Sequence, residues 1–286
     1  MPETIVCGLD TSSAADAVAD TARWLANRLQ ARLVLVHVAE EPMAEAEELL
    51  TSFRVRLGLG ARDDVRLLEG SPEDRLREAV DNDAADLLVV GSRGRGALQS
   101  AVFGSVSRSL VTSARCPVVV VPSSLPDRSS ERGGEASIVC GVDGSEHAVA
   151  AVRLGADLAA RLGFRLLVVH ALPDLGAVAS YPGARSTAPP LSAQPDERTR
   201  HAQRIIDAAV DAAAGRAEGI VEPGRPWEVL ESVADREGGE LLLVAARGLS
   251  GLRAAMFGSV ANEVVTSSRR PVVVLPEPAE SRFAST

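Results

Sequence analysis

The stretch that decides the fold is LVVGSRGRGALQSAVFGS at residues 88–105, and it returns as LLVAARGLSGLRAAMFGS at residues 242–259. In each copy an apolar run leads into a glycine-containing segment, which ends in Gly-Ser ahead of another apolar stretch. This pattern predicts a buried strand, a loop and the start of a helix. Because the pattern occurs twice, it predicts two copies of one domain.

The two copies also open alike, with TIVCGLD at residues 4–10 and SIVCGVD at residues 137–143. Each opening predicts a buried strand, and the elements expected after it match in order between the copies. In the first copy, helices are expected at 13–29, at 72–83 and from 105, and their counterparts in the second copy at 145–162, at 226–237 and from 259. Further strands are expected in the first copy at 32–38, 64–68, 86–90 and 117–121. Their counterparts in the second copy are expected at 165–171, 217–221, 240–244 and 271–275.

Strands that are apolar throughout indicate a parallel sheet covered on both faces. The crossover rule then favours two tandem Rossmann-like α/β domains, each a five-stranded parallel sheet of order 3-2-1-4-5 with helices on both faces. We expect domains at 1–122 and 137–286, joined by a polar linker at 123–136. The second copy carries an insertion around 173–195, expected to be a mobile surface loop, with a lid over the second site as the alternative.

Composition excludes several classes of function. The net charge is −9 and aromatic residues make up 3%, which argues against a nucleic-acid partner. No apolar run is long enough for a membrane span. The three cysteines contain no C-x-x-C pair, so we expect no zinc or redox site and a cytoplasmic location.

A ligand site is predicted where the order of the strands reverses, between the first and fourth strands. Asp10 ends the first of these strands and Gly91 the other, so residues 81 apart in sequence should meet in one crevice. The glycines allow backbone amides to approach a phosphate, and the helix beginning at Gly104-Ser105-Val106 directs its free amides at the same place.

Side chains complete this expected site. Arg93 and Arg95 supply positive charge, while Asp10 can accept from a ribose hydroxyl or an exocyclic amine, and backbone near Val38 can contact a base edge. The alternatives are structural: the glycines can form only a tight turn, and Asp10 can be a helix N-cap. His37 and His170 occupy matching strand ends without a nearby nucleophile, so we interpret them as structural, and no catalytic residue is assigned.

These residues resemble the universal stress protein family over nearly the whole chain. The family signature of Gly, two residues, Gly, nine residues, Gly and Ser or Thr is matched by Gly91, Gly94, Gly104 and Ser105. The opening Gly8-Leu9-Asp10 and the ending CPVVVVP at 116–122 are also similar to the family. The resemblance, to a fold also described as adenine nucleotide alpha hydrolase-like, implies ATP as cofactor, with or without Mg²⁺. It implies binding roles for Asp10, Val38, Gly91, Gly94, Gly104 and Ser105. The site that we expect from the residues around them also includes Gly8, Ser92, Arg93, Arg95, Gly96 and Val106.

The second copy departs from this pattern. Ala245 replaces the first glycine, and Leu249 stands where the first copy has Arg95. An alanine there would cost roughly 1–2 kcal/mol if the backbone needed positive φ, and would crowd a phosphate if it did not. We therefore expect the second copy to bind nucleotide more weakly or not at all, through the residues that remain: Gly141, Asp143, Gly248, Gly258, Ser259 and Val260.

The function implied is that of an ATP-binding, cytoplasmic regulator or sensor in a bacterial stress response, without dedicated catalysis and without a metal site. No Gly-x4-Gly-Lys-Ser/Thr motif is present. Two alternatives stay open: a slow ATP hydrolase on the same scaffold, and a dimerisation scaffold that binds no nucleotide. The valine strands 118–121 and 272–275 are expected to pair as edges, giving an internal pseudo-dimer. A homodimer of the whole chain and an unidentified protein partner also stay open.

Overall fold

Parallel strands alternate with helices throughout the computed structural model, which describes residues 4–39, 43–92, 103–123, 125, 135–172, 195–248 and 257–283. The chain folds as two compact units. The first contains Met1–Asp127 with Arg269–Ala279, and the second contains Arg128–Ser268 with Glu280–Thr286. Among the described residues, no helix combines the length and apolar character that crossing a bilayer requires.

The first repeat follows the expected order of elements. These are β1 (Thr4–Leu9), α1 (Ala15–Leu29), β2 (Arg32–Ala39), α2 (Met43–Arg56), β3 (Asp64–Glu69), α3 (Pro72–Asn82), β4 (Leu87–Gly91), α4 (Ser105–Ser113) and β5 (Val118–Val121). The sheet has the order β3-β2-β1-β4-β5, and all of these strands are parallel. The predicted order 3-2-1-4-5 is therefore confirmed for this repeat.

The second repeat repeats this arrangement. Its elements are β6 (Ser137–Gly141), α5 (Glu146–Leu162), β7 (Arg165–Leu172), α6 (Pro195–Ala212), β8 (Glu218–Pro223), α7 (Pro226–Arg236), β9 (Gly239–Ala245), α8 (Ser259–Ser267), β10 (Val272–Leu275) and the short α9 (Glu277–Glu280). Four of the strands form a parallel sheet of order β8-β7-β6-β9.

The fifth strand of the second repeat, β10, belongs to the first unit. It pairs antiparallel with β5, with Val273 opposite Val119. The predicted pairing of the two valine strands is thus present, and all residues of both strands are buried. Burial on both faces explains why these strands contain no alternating polar residues.

The expected insertion at 173–195 lies almost entirely outside the described residues, as does most of the expected linker at 123–136. The second helix of each repeat, α2 and α6, follows the second strand as the alternating order requires. Helix α1 begins two residues later than its sequence pattern predicts, since residues 11–14 form turns after β1.

Candidate functional site

The ends of β1 and β4 meet at the point where the strand order reverses. The two strands are direct neighbours, with Cys7 opposite Val89, so Asp10 and Gly91 leave the sheet side by side. On the other side of β1, Leu9 pairs with His37, which brings Val38 to the same edge. The structure thus brings together Asp10, Val38 and Gly91, as the sequence predicts.

The glycine loop of each repeat is closed at its base by one backbone hydrogen bond. In the first repeat the amide of Gly104 donates to the carbonyl of Ser92 at 3.0 Å. In the second, the amide of Gly258 donates to the carbonyl of Ala246 at 2.8 Å. Ser92 and Gly104 of the first repeat, and Ala246 and Gly258 of the second, therefore lie next to each other.

Helix α4 begins at this closure with its amides available. Its N-cap is Gly104, which has no side chain to cap the helix, and Ser105 is exposed. The first amides of an α-helix have no acceptor within the helix and carry the positive end of its dipole. The start of α4 therefore offers an anion-binding surface next to Gly91.

Ser107 fixes this helix to the strand, a role that the sequence analysis missed. Its hydroxyl donates to the carbonyl of Gly91 at 2.6 Å, and the side chain is buried. The signal that could have found it is a serine on the core-facing side of a helix, two residues after the Gly-Ser start.

The Asp10 carboxylate does not cap α1, because the N-cap position is Ala14, which forms no side-chain hydrogen bond. Instead Asp10 Oδ1 accepts from the amide of Ser12 at 3.0 Å and from its hydroxyl at 2.6 Å. In the described part of the chain, no hydrogen bond involves Asp10 Oδ2. One carboxylate oxygen thus shapes the turn, and the other is available to a ligand.

The second repeat builds the same turn with a stronger helix cap. Asp143 Oδ1 accepts from the amide of Ser145 at 2.9 Å. Ser145 is the N-cap of α5, and its hydroxyl accepts from the amide of Ala148 at 3.1 Å. The aspartate therefore supports the residue that caps the helix.

Gly248 lies so close to this aspartate that a side chain there would displace the carboxylate. A Cβ placed on Gly248 would lie 2.2 Å from Asp143 Oδ2, far inside van der Waals contact. The glycine loop and the turn after the first strand are therefore in direct contact in the second repeat. Gly258, at the other end of the loop, has milder crowding, with the carbonyl oxygen of Ala246 at 3.1 Å from the added Cβ.

Ala245 occupies the position of Gly91 without backbone strain. It is the last residue of β9, and it is absent from the described residues that have positive φ. The expectation that an alanine here strains the backbone through a positive φ is therefore wrong. The remaining effect of Ala245 is the space that its buried methyl group takes. Ala261, two residues after Ser259, has no hydroxyl with which to repeat the bond made by Ser107.

The two strand-end histidines hold the backbone just before each aspartate. His37 Nδ1 donates to the carbonyl of Leu9 and His170 Nδ1 to that of Val142, each at 2.8 Å. Burial lowers the pKa of His170, and the nearby His201 lowers it too, against the opposing effects of the Val142 carbonyl and Asp143. These contacts support the structural interpretation of both histidines.

Gly8 and Gly141 lie inside β1 and β6, where helices pack on them. A Cβ on Gly8 would lie 2.9 Å from Leu76 of α3, and one on Gly141 would lie 3.0 Å from Leu230 of α7. Their small size therefore allows close packing of helix on sheet. The remaining predicted site residues of the loops, Arg93, Gly94, Arg95, Gly96 and the divergent Leu249, lie outside the described residues.

Cys7, Cys116 and Cys140 are buried, and no disulfide joins them. Burial raises the pKa of Cys7 far above its ordinary value and that of Cys140 to about 12, so neither is a reactive thiolate. Within the described ranges, no cluster of His, Cys, Asp and Glu is arranged to hold a metal ion.

Comparison with known proteins places this architecture among solved structures. An uncharacterised Pseudomonas aeruginosa protein matches 99% of this chain and 95% of its own with a TM-score of 0.65 at 14% identity. A universal stress protein from Archaeoglobus fulgidus matches 96% of each chain with a TM-score of 0.63 at 17% identity. At these identities the likeness shows the fold.

Curated relatives share more sequence. Two universal stress proteins of Mycobacterium tuberculosis are 35% and 31% identical over 196 and 198 residues. The alignments span 66% and 68% of this chain but only 61% and 60% of those relatives. The model of the universal stress protein family matches residues 1–53, 46–122 and 136–276. Both repeats thus match the family in sequence and in fold, and the chain belongs to the universal stress protein family, whose members are generally non-catalytic stress-response proteins.

Proposed function

We propose that the first repeat binds ATP, with or without Mg²⁺, and that the occupied site acts as a regulator or sensor in a cytoplasmic stress response. The observation that carries this proposal is the meeting of three features at one edge of the sheet. They are the Oδ2 of Asp10, which forms no hydrogen bond within the described residues, the pairing of Gly104 with Ser92 just after Gly91, and the start of α4, which has no side-chain cap.

The chemistry of these groups fits a nucleotide. The free amides at the start of α4 and the hydroxyl of Ser105 suit phosphate oxygens. Asp10 Oδ2 suits a ribose hydroxyl or an exocyclic amine, since an ionised carboxylate only accepts hydrogen bonds. Arg93 and Arg95 would add positive charge, on the strength of their place between and after the loop glycines in the sequence.

The second repeat is proposed to bind nucleotide weakly or not at all. Gly248 lies against Asp143, but Ala245 adds a buried methyl group where the first repeat has Gly91. The repeats are proposed to form an internal pseudo-dimer through strands 118–121 and 272–275, which pair in the first unit.

A matched pair of variants tests the assignment. Asp10→Asn keeps an oxygen for the turn and removes the charge, and Asp143→Asn makes the same change in the second repeat. We expect Asp10→Asn to weaken binding of a fluorescent ATP analogue by about tenfold or more, the ordinary value of a charge-assisted hydrogen bond. Asp143→Asn should leave the affinity unchanged. Equal affinities for all three proteins would contradict the assignment of the site to Asp10.

A further inference from the structure

A cavity of about 450 Å³ in the second unit lies beside the turn that carries Asp143 but does not include that residue. Helices α5 and α6 form its walls, through Ala148 and Val149 of one and Ile205, Ala208 and Ala209 of the other. Its size and largely apolar walls are typical of small-molecule sites.

The turn after β6 separates this cavity from the glycine loop. Asp143 directs Oδ2 at Gly248, whereas the next two residues, Gly144 and Ser145, line the cavity. Gly144 has a φ of +86°, and a Cβ there would lie 3.1 Å from Ile205. Helix α6 therefore packs directly on the turn. One face of the turn lies against Gly248, and the other face lines the cavity.

Two basic residues of α6, His201 and Arg204, line the cavity. Arg204 is exposed, and within the described ranges it forms no ion pair. Ser145, the remaining polar side chain of the lining, already accepts the hydrogen bond from Ala148. The guanidinium of Arg204 is thus the strongest polar group that the cavity offers to a ligand.

The first repeat has the opposite charge at this position. Ala46, Leu50 and Phe53 are the buried residues of α2, and they match Ala202, Ile206 and Ala209 of α6 in spacing and burial. In that register, the exposed Glu48 stands where the second repeat has the exposed Arg204. The basic character of the cavity is therefore a property of the second repeat.

We propose that this cavity binds an amphipathic monoanion, namely a medium-chain carboxylate. Its apolar chain would lie among Val149, Ile205 and Ala208, and its carboxylate would pair with Arg204. Arginine matches a carboxylate with two parallel hydrogen bonds, which favours this headgroup over a neutral one.

The test compares decanoate with decanol by isothermal titration calorimetry, below the concentration at which either aggregates. The two probes share the apolar chain and differ in the charged headgroup. We expect decanoate to bind the wild-type chain at least tenfold more tightly than decanol, and Arg204→Glu to lose at least tenfold in decanoate affinity. Glu48→Arg, the reciprocal change in the first repeat, should leave that affinity unchanged.

A second variant tests the apolar part of the cavity without changing a charge. Ala208→Phe would fill the cavity from its exposed side, and it should abolish decanoate binding while the thermal unfolding midpoint stays near that of the wild type. No decanoate binding to the wild type, or equal affinities for wild type and Arg204→Glu, would overturn the proposal. Competition by saturating ATP would also overturn it, because the cavity would then be part of a nucleotide site. If the wild type binds decanoate but not ATP, the proposed nucleotide site is contradicted and the proposed carboxylate site is supported.

Discussion

Replacing Gly248 by alanine should destabilise the second unit through one identifiable contact. The new Cβ would lie 2.2 Å from Asp143 Oδ2, so the carboxylate must move. When it moves, Asp143 Oδ1 releases the amide of Ser145, which it holds at 2.9 Å. Ser145 is buried, so water cannot easily replace the lost acceptor.

A hydrogen bond to a charged group contributes about 1.5–3 kcal/mol to stability. With a urea m-value of about 1–3 kcal/mol per molar, Gly248→Ala should lower the unfolding midpoint of the second unit by about 1 M urea. The loss of stability should be greatest around the turn at Asp143. The amide of Ser145 should therefore exchange its hydrogen faster than in the wild type.

Gly163→Ala is the matched control. Gly163 ends α5 with a φ of +70°, and a Cβ there meets nothing within 4 Å. The alanine should therefore cost about 1–2 kcal/mol through backbone strain alone. It should lower the unfolding midpoint by a similar amount without changing exchange at Ser145. If Gly248→Ala has the wild-type midpoint and wild-type exchange at Ser145, the contact between the glycine loop and Asp143 does not support the helix.

Three further predictions concern other parts of the molecule. Ser107→Ala should lower the free energy of unfolding by about 1 kcal/mol, measured by thermal unfolding, because the carbonyl of Gly91 loses its donor. As a control, Ser52→Ala at an exposed site should lower it by less than about 0.5 kcal/mol. Equal effects of the two changes would show that the Ser107 hydrogen bond is not stabilising. Burial lowers the pKa of His170 in the folded state, so its contribution to the free energy of unfolding should be fully present above about pH 6.5 and decline as the pH falls through the lowered pKa. His170→Gln should flatten this decline in urea titrations at several pH values. An unchanged pH dependence would show that His170 does not cause the decline. The buried thiols of Cys7, Cys116 and Cys140 should react with a thiol reagent only after denaturation, and rapid labelling of the native chain would contradict the packing of these strands.

Much of the fold could be predicted because its signal is local. Continuous apolar strands and Gly-Ser helix starts gave the order of elements, and helices α4 and α8 begin at the expected Ser105 and Ser259. The meeting of Asp10 with Gly91 followed from the strand order alone. Local patterns could not show that β10 lies in the first unit, since that depends on which edge the last strand pairs with.

The finer details of the site depend on contacts between distant residues. Gly248→Ala would displace the carboxylate of Asp143, which lies 105 residues earlier in the chain. Neither residue alone indicates this contact. The cost of Ala245 could likewise not be assigned from sequence, because strain and crowding differ only in a backbone angle. The structure places Ala245 outside the positive-φ residues, which leaves crowding.

Calorimetric titration of ATP with Mg²⁺ into the wild type, Gly94→Ala and Gly248→Ala tests the central claim most directly. The account predicts about one site per chain in the wild type, loss of that site in Gly94→Ala, and an unchanged site in Gly248→Ala. Equal affinities in the two variants would contradict the inequality of the repeats. No heat from the wild type, together with no nucleotide carried through purification, would contradict ATP binding itself and favour a scaffold that binds no nucleotide.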